Sequence, residues 1–124
     1  MRVLSVDDAK STREFIRNAV DVLGFEFLEA GNGREGLEVL EREESRVDLV
    51  LLDWNMPVMN GMEMLKKMKE DKRFRTIPVT MVTTEIERPK VIQAISSGAK
   101  NYVMKPFTQE ELATKIMEAL GMGL

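Results

Sequence analysis

Five short apolar segments alternate with five segments in which apolar residues recur at helical spacing, and this alternation constrains the fold more than any other feature. The apolar segments are residues 2 to 6, 26 to 30, 48 to 52, 78 to 83 and 101 to 104. Three of them are almost continuously apolar, as is typical of strands buried on both faces of a parallel sheet. The order strand then helix, repeated five times, predicts an α/β fold: a doubly wound, five-stranded parallel sheet with helices on both faces.

Polar residues and glycines mark the expected helix ends. A capping residue followed three positions later by Glu can satisfy two backbone N–H groups at a helix start. Four pairs have this spacing: Ser11 with Glu14, Asn32 with Glu35, Asn60 with Glu63, and Thr108 with Glu111. Pro89 is predicted to begin the fourth helix as a first-turn proline. Glycines are predicted to end three helices: Gly24, Gly98 and Gly121.

Length and charge limit the class of protein. With 124 residues, 44% of them hydrophobic, the chain has the size of one domain with one core, and we expect a single domain over residues 1 to 124. The formal net charge of -3 argues against nucleic acid as a partner, because phosphate contacts need clustered Lys and Arg. The sequence has neither a signal-peptide apolar region nor an 18-residue apolar run, so we expect a soluble, cytoplasmic protein without membrane contact.

The chain contains no cysteine and no histidine. Disulfides, thiol chemistry and both usual zinc ligands are therefore excluded, and any metal ion must be held by oxygen atoms.

Three carboxylates follow two of the predicted strands. Asp7 and Asp8 come after strand one, and Asp53 comes after strand three. In a flavodoxin-like sheet with strand order 2-1-3-4-5, ligands bind beyond the carboxyl ends of the strands, between strands one and three. Three carboxylates converging there would repel one another unless a cation were bound. Hard oxygen ligands at such a position suit Mg²⁺, with Mn²⁺ as an alternative.

Two further strand ends carry groups suited to a phosphate. Thr83 provides a hydroxyl donor after strand four, and Lys105 provides a charged donor after strand five. Carboxylates accept phosphoryl groups as acyl phosphates, and such transfer depends on positioning and charge neutralisation. We therefore predict Asp53 as the nucleophile, with Asp7 and Asp8 holding the cation.

Four motifs, with their spacing, resemble the receiver domain of bacterial response regulators. They are VDD at 6 to 8, LLDWNMPVMNG at 51 to 61, VTT at 82 to 84 and KPF at 105 to 107. The resemblance covers essentially the whole chain. DWNMP followed by NG, together with GAKNYVMKPFT near the end, is most similar to the stand-alone chemotaxis regulators of that family.

The resemblance implies roles for the strand-end residues. Asp53 would accept a phosphoryl group from a phosphohistidine on a CheA-like histidine kinase. The metal Mg²⁺ would be bound by Asp8, Asp53 and the backbone carbonyl of Asn55, with Asp7 acting through a water molecule. Lys105 would contact the phosphoryl group, and the peptide before Pro106 would be cis.

The same resemblance implies a switch and an output face. Thr83 would move its hydroxyl towards the phosphoryl group, and Tyr102 would turn into the space that Thr83 vacates. The fourth helix, fifth strand and fifth helix would bind the target. The side chains of Asn55 and Glu85 would set the rate at which water removes the phosphoryl group. Thr84 departs from the small residue usual at its position, and its bulk is expected to narrow phosphoryl access.

Several functions stay open at this stage. A chain without histidine must receive the phosphoryl group from a partner, and we expect a monomeric switch rather than an enzyme with a separate substrate. Its target would be a flagellar switch protein in chemotaxis, or a histidine phosphotransfer domain if the chain is a phosphorelay intermediate or phosphate sink. No output domain is expected to follow the fifth helix. An aspartyl-phosphate phosphatase is disfavoured because Asp53 lacks the D-x-D pattern, and a flavin protein because Asp7 and Asp8 would repel the flavin phosphate.

Overall fold

A computed structural model describes residues 1–44, 46–84 and 89–122. Five strands form one parallel sheet in the order β2-β1-β3-β4-β5. The strands are β1 Arg2–Val6, β2 Glu26–Ala30, β3 Leu49–Asp53, β4 Val79–Thr84 and β5 Asn101–Lys105. The predicted doubly wound, flavodoxin-like architecture and its strand order are confirmed.

Helices cover both faces of the sheet. They are α1 Lys10–Val22, α2 Gly33–Arg42, α3 Gly61–Glu70, α4 Val91–Ser96 and α5 Gln109–Ala119. Side chains alternate along β1, so that Leu4 and Val6 join the core beneath α2, α3 and α4, while Val3 joins the core beneath α1 and α5. Burial on both faces explains why the strands read as apolar runs rather than alternating ones.

The strand ends differ from the prediction in one informative way. Strands β3, β4 and β5 each end one residue later than predicted and therefore include Asp53, Thr84 and Lys105. Their polar side chains are thus held by the hydrogen-bonded sheet rather than by loops. This arrangement gives the strand-end groups fixed positions.

The helix starts follow the capping prediction in part. Asn60 and Glu63 form the full reciprocal capping box at α3. At α2 and α5, Asn32 and Thr108 accept from the backbone N–H three residues on. The α2 glutamate, Glu35, accepts from the Gly31 N–H and from the Asn32 side-chain amide rather than from the Asn32 backbone N–H. All three predicted stop glycines have left-handed φ, at 77, 114 and 72°.

Two of the predicted helix starts are wrong. Helix α1 begins at Lys10 after an Ala9 cap without a side-chain hydrogen bond, so Ser11 already lies inside it. The Asp7 carboxylate accepts from the Ala9 N–H at 2.9 Å, and the helix begins two residues earlier than predicted. Pro89 lies in a short 3₁₀ turn at 89 and 90 that precedes α4, rather than in α4 itself. None of the helices in the described part of the chain is long and apolar enough to cross a membrane.

Candidate phosphoacceptor and cation site

Asp7, Asp8 and Asp53 come together at the carboxyl edge of the sheet. Asp53 is the last residue of β3, and the Asp7–Asp8 pair follows the neighbouring β1. One carboxylate oxygen from each lies within 4.8 Å of the other two. Asp7 and Asp53 are buried, with 1% and 6% of their surface exposed, whereas Asp8 is exposed. Two carboxylates without solvent and one at the surface therefore share a small volume.

Lys105 supplies the positive charge between the two buried carboxylates. Its amino group donates to Asp7 Oδ2 at 3.1 Å and to Asp53 Oδ1 at 3.3 Å. Strand β5 lies at the sheet edge, so its last side chain must reach across the end of β4 to make these bonds. One ammonium group serves two carboxylates, and the buried pair therefore retains excess negative charge.

The pKa values follow from this charge imbalance. Burial and, to a smaller extent, the negative charge of Asp7 raise the pKa of Asp53 to about 6, against the opposing effect of Lys105. Burial lowers the pKa of Lys105, but the charges of Asp53 and Asp7 outweigh burial and leave that pKa above its ordinary value. Lys105 is therefore positive at neutral pH, and Asp53 holds its charge only against a desolvation cost.

The carboxylate oxygens fit a small divalent cation. Mg²⁺ binds oxygen at about 2.1 Å, so ligands on opposite sides of one ion lie roughly 4.2 Å apart. The three carboxylate oxygens lie within 4.8 Å of one another, so side-chain shifts of a few tenths of an ångström would bring them to this spacing. An all-oxygen set suits Mg²⁺ or Mn²⁺, and a cation would relieve the repulsion that raises the pKa of Asp53.

The remaining predicted site residues lie around this cluster. Thr83 is fully buried near the end of β4, and its hydroxyl donates to the Thr84 carbonyl at 3.3 Å. Asn55 is exposed in the loop two residues beyond Asp53. The Lys105–Pro106 peptide is cis, which confirms that expectation. Glu85 lies outside the described residues.

Thr83 and Tyr102 lie on the same face of the sheet. Tyr102 pairs with Met81 in the β4–β5 register, and Thr83 pairs with Met104, so the two residues are diagonal neighbours. Tyr102 is half-buried against the core beneath α2, α3 and α4, and the Lys115 amine lies 5.7 Å from its ring centroid. The hydroxyl of Thr83 and the ring of Tyr102 therefore share one packed region.

Thr84 faces an apolar groove beside the site. The groove has a volume of about 560 Å³ and lies between the start of α1 and the β5–α5 loop. Its lining comprises Ser11, Thr12, Phe15, Thr84, Lys105, Pro106 and Phe107. Because Lys105 belongs to both the groove and the carboxylate cluster, the groove opens beside that cluster.

Gly61 is a positioning residue that the sequence patterns did not predict. A β-carbon there would meet the carbonyl oxygen of Asp53 at 2.1 Å, far inside van der Waals contact. The Gly61 N–H also donates to the Trp54 carbonyl at 2.9 Å. The start of α3 therefore packs directly on the backbone at the end of β3, and only glycine fits. The N-G pair at 60 and 61 was the available signal, but it also fits an ordinary helix start.

Comparisons with known proteins agree with this geometry. The response regulator receiver domain family matches residues 3–117. The chain is 41% identical to the chemotaxis protein CheY homolog of Campylobacter jejuni over 124 residues, covering 99% of this chain and 95% of that protein. It is 42% identical to chemotaxis protein CheY1 of Helicobacter pylori over 122 residues, covering 98% of each.

Solved structures show the same architecture. Chemotaxis protein CheY4 of Vibrio cholerae superposes with a TM-score of 0.87 at 33% identity, covering 96% of this chain and 98% of that one. The shared fold, the full-length similarity and the carboxylate cluster lead to one conclusion. The chain belongs to the response regulator receiver domain family and is a CheY-like member of it.

Proposed function

We propose that this protein is a phosphorylation-activated switch of a two-component system, in which Asp53 accepts a phosphoryl group from a histidine kinase. The observation that carries the proposal is the placement of Asp53. Its buried carboxylate ends a central strand, lies within 4.8 Å of Asp7 and Asp8, and has Lys105 at 3.3 Å. A nucleophile, a set of cation ligands and a cationic donor for phosphoryl oxygens are thus assembled at one point.

The transfer assigns a step to each group. An Asp53 carboxylate oxygen attacks phosphorus, the P–N bond of the donor phosphohistidine breaks, and the bonding pair goes to the imidazole nitrogen, which takes a proton from water. Lys105 donates to the phosphoryl oxygens. Asp8, Asp53 and the Asn55 carbonyl would hold Mg²⁺, with Asp7 acting through water, and the ion would neutralise charge on the transferring group. Thr83 donates its hydroxyl to the attached group.

The protein assists its own labelling and has no separate substrate. Residues 1 to 124 act as one receiver domain, a monomer whose output is a protein contact. Water then removes the phosphoryl group, and the side chains of Asn55 and Glu85 set that rate. Asn55 is exposed two residues beyond Asp53, which supports this role because solvent has access to its side chain.

The output face comprises α4, β5 and α5. Once Thr83 turns towards the phosphoryl group, Tyr102 occupies the vacated space on the same face of the sheet. Nearby on α4, Ile92 and Ile95 are 76% and 42% exposed. Exposed aliphatic side chains beside an aromatic ring are typical of a surface that binds a partner.

The chemotaxis relatives favour a CheA-like kinase as the donor and a flagellar switch protein as the target. A histidine phosphotransfer domain is the alternative target, in which case the chain is a phosphorelay intermediate or phosphate sink. A pull-down from lysate of the native cell, with and without beryllofluoride and Mg²⁺, separates the two. Capture of a flagellar motor component supports chemotaxis, and capture of a histidine-containing phosphotransfer domain supports a relay.

The phosphoacceptor is tested by chemical trapping. The protein is incubated with Mg²⁺ and phosphoramidate, and any aspartyl phosphate is reduced with borohydride to homoserine and located by peptide mass spectrometry. We expect homoserine at position 53 alone. Asp53→Asn should abolish the signal, whereas Asp48→Asn, a matched change at the opposite edge of the sheet, should retain it. Unchanged trapping in Asp53→Asn would refute the proposal.

A further inference from the structure

Arg13, on the first turns of α1, makes two short hydrogen bonds that join three separate elements. Its Nη1 donates to the backbone carbonyl of Asp7 at 2.6 Å, and its Nε donates to Glu29 Oε1 on β2 at 2.7 Å. Only 17% of the Arg13 side chain is exposed. The guanidinium group is therefore held in a fixed place behind the acidic turn.

The backbone of that turn is held on several sides. The Asp7 N–H donates to the Ala30 carbonyl at 3.0 Å, and the Ala9 N–H donates to Asp7 Oδ1 at 2.9 Å. The bond from Arg13 adds the Asp7 carbonyl, which belongs to the peptide that joins Asp7 to Asp8. That contact therefore fixes the plane of the peptide from which Asp8 projects.

Asp8 depends on this peptide more than the other two carboxylates do. Asp53 lies within a strand, and the Asp7 carboxylate is buried and bonded to Lys105. Asp8 is exposed, so its direction must come largely from its backbone. A carboxylate that is to bind a cation alongside two fixed ones needs a fixed direction, because Mg²⁺ demands nearly regular octahedral geometry.

Glu29 keeps the guanidinium of Arg13 in place. Its second oxygen pairs with Arg17 Nη2 at 2.7 Å, and the Arg17 guanidinium lies 4.9 Å from the centre of the Phe27 ring. Glu29 thus bridges two arginines one helical turn apart on α1. The negative charge of Glu29 also offsets the positive charge of Arg13, which would otherwise repel a divalent cation at the adjacent turn.

We propose that Arg13 is a positioning residue for the cation site: by holding the Asp7 carbonyl it sets the direction of Asp8 and hence the affinity for Mg²⁺. This inference rests on the proposed function, because that function requires the cation. Removing a group that hydrogen-bonds to a metal ligand and orients it typically weakens metal binding by about ten- to a hundredfold.

Mg²⁺ titration followed by the fluorescence of Trp54, the one tryptophan, measures the effect. We expect Arg13→Met to weaken Mg²⁺ binding roughly tenfold. Arg17→Met is the matched control, since it also removes one ion pair with Glu29 but leaves the Asp7 contact, and its affinity should stay close to the wild-type value. At saturating Mg²⁺, Arg13→Met should recover the wild-type rate of phosphoramidate labelling, because only cation binding is impaired.

The outcomes separate the two levels of the proposal. If Arg13→Met and wild type bind Mg²⁺ equally, or if Arg17→Met loses as much affinity as Arg13→Met, the positioning role is overturned while the proposed function stands. A wild type that does not bind Mg²⁺ overturns both. Should Arg13→Met fail to fold, Arg13→Lys replaces it: lysine keeps the charge but loses the planar fork, and an unchanged affinity contradicts the inference.

Discussion

The two edges of the sheet treat charge in opposite ways. At the carboxyl edge, two buried carboxylates share one lysine and lie beside a third carboxylate. At the amino edge, Arg2 donates a hydrogen bond to each of four acceptors. Its partners are the carboxylates of Glu26, Glu43 and Asp48 and the carbonyl of Arg46.

The two edges differ in how far their charges are balanced: like charges lie close together at the carboxyl edge, and opposite charges are paired at the amino edge. The hydrogen bond and the opposite charges of Arg2 and Glu43 raise the pKa of Arg2 and lower that of Glu43. At the other edge, burial and like charge raise the pKa of Asp53 to about 6. A bound cation would relieve the repulsion between these carboxylates, and the free energy released would favour cation binding.

The largest effect is expected from Gly61→Ala. The added methyl group would displace the Asp53 backbone, which lies in the hydrogen-bonded sheet, so we expect a loss of about 3 kcal/mol or more in unfolding free energy and slower phosphoryl labelling. Gly31→Ala is the control, because its β-carbon would meet only the flexible end of Glu35, at 3.2 Å. Urea denaturation measures both, and equal losses would contradict the close-approach explanation.

In buffer that contains no divalent cation, Asp53→Asn should raise the free energy of unfolding. The pKa of Asp53 is about 6 in the folded protein against an ordinary 3.8. Protonation of Asp53 therefore stabilises the folded state; this contribution is fully present below pH 3.8 and is lost as the pH rises through about 6. Asparagine stays neutral at every pH, so the free energy of unfolding of the variant should exceed that of the wild type by up to about 3 kcal/mol at pH 7. Asp48→Asn at the amino edge should instead destabilise, because Asp48 accepts from the Arg2 N–H at 2.7 Å. Urea denaturation as a function of pH compares the two.

Backbone strain offers a smaller test at both edges. Val58, in the loop after Asp53, has φ of 70° and is 73% exposed, and Glu44, after α2, has φ of 55°. A β-branched residue is disfavoured there more than an unbranched one, so Val58→Asn should gain about 1 kcal/mol and Glu44→Asn less. Thermal melting of the two variants gives the order, and a larger gain at Glu44 would contradict it.

The smallest effect is expected at Arg2, because exposed ion pairs are screened by solvent. Arg2→Met should lower the melting temperature slightly, and Arg2→Lys should lower it less. The difference from wild type should shrink in high salt, since the charges are accessible to ions. Mg²⁺ affinity should not change in either variant, and an effect on it would show that the two edges are coupled.

The alternation of apolar and amphipathic segments was enough to determine the fold. Period and turn residues act over a few positions, so they predict strands and helices from local sequence alone. The parallel order then brings the carboxyl ends of all strands to one edge, so the sequence alone places Asp7, Asp8 and Asp53 together. Chain length and charge limited the remaining possibilities.

Tertiary structure decided the contacts between residues far apart in the chain. Lys105 donates to Asp53 and Asp7, which precede it by 52 and 98 residues. Arg13 on α1 donates to Glu29 on β2. Gly61 is required by its approach to Asp53, and Ser11 failed as a cap because the Asp7 carboxylate had already turned the chain into α1. Such partners depend on how helices pack on the sheet, and local periodicity carries no information about that distance or orientation.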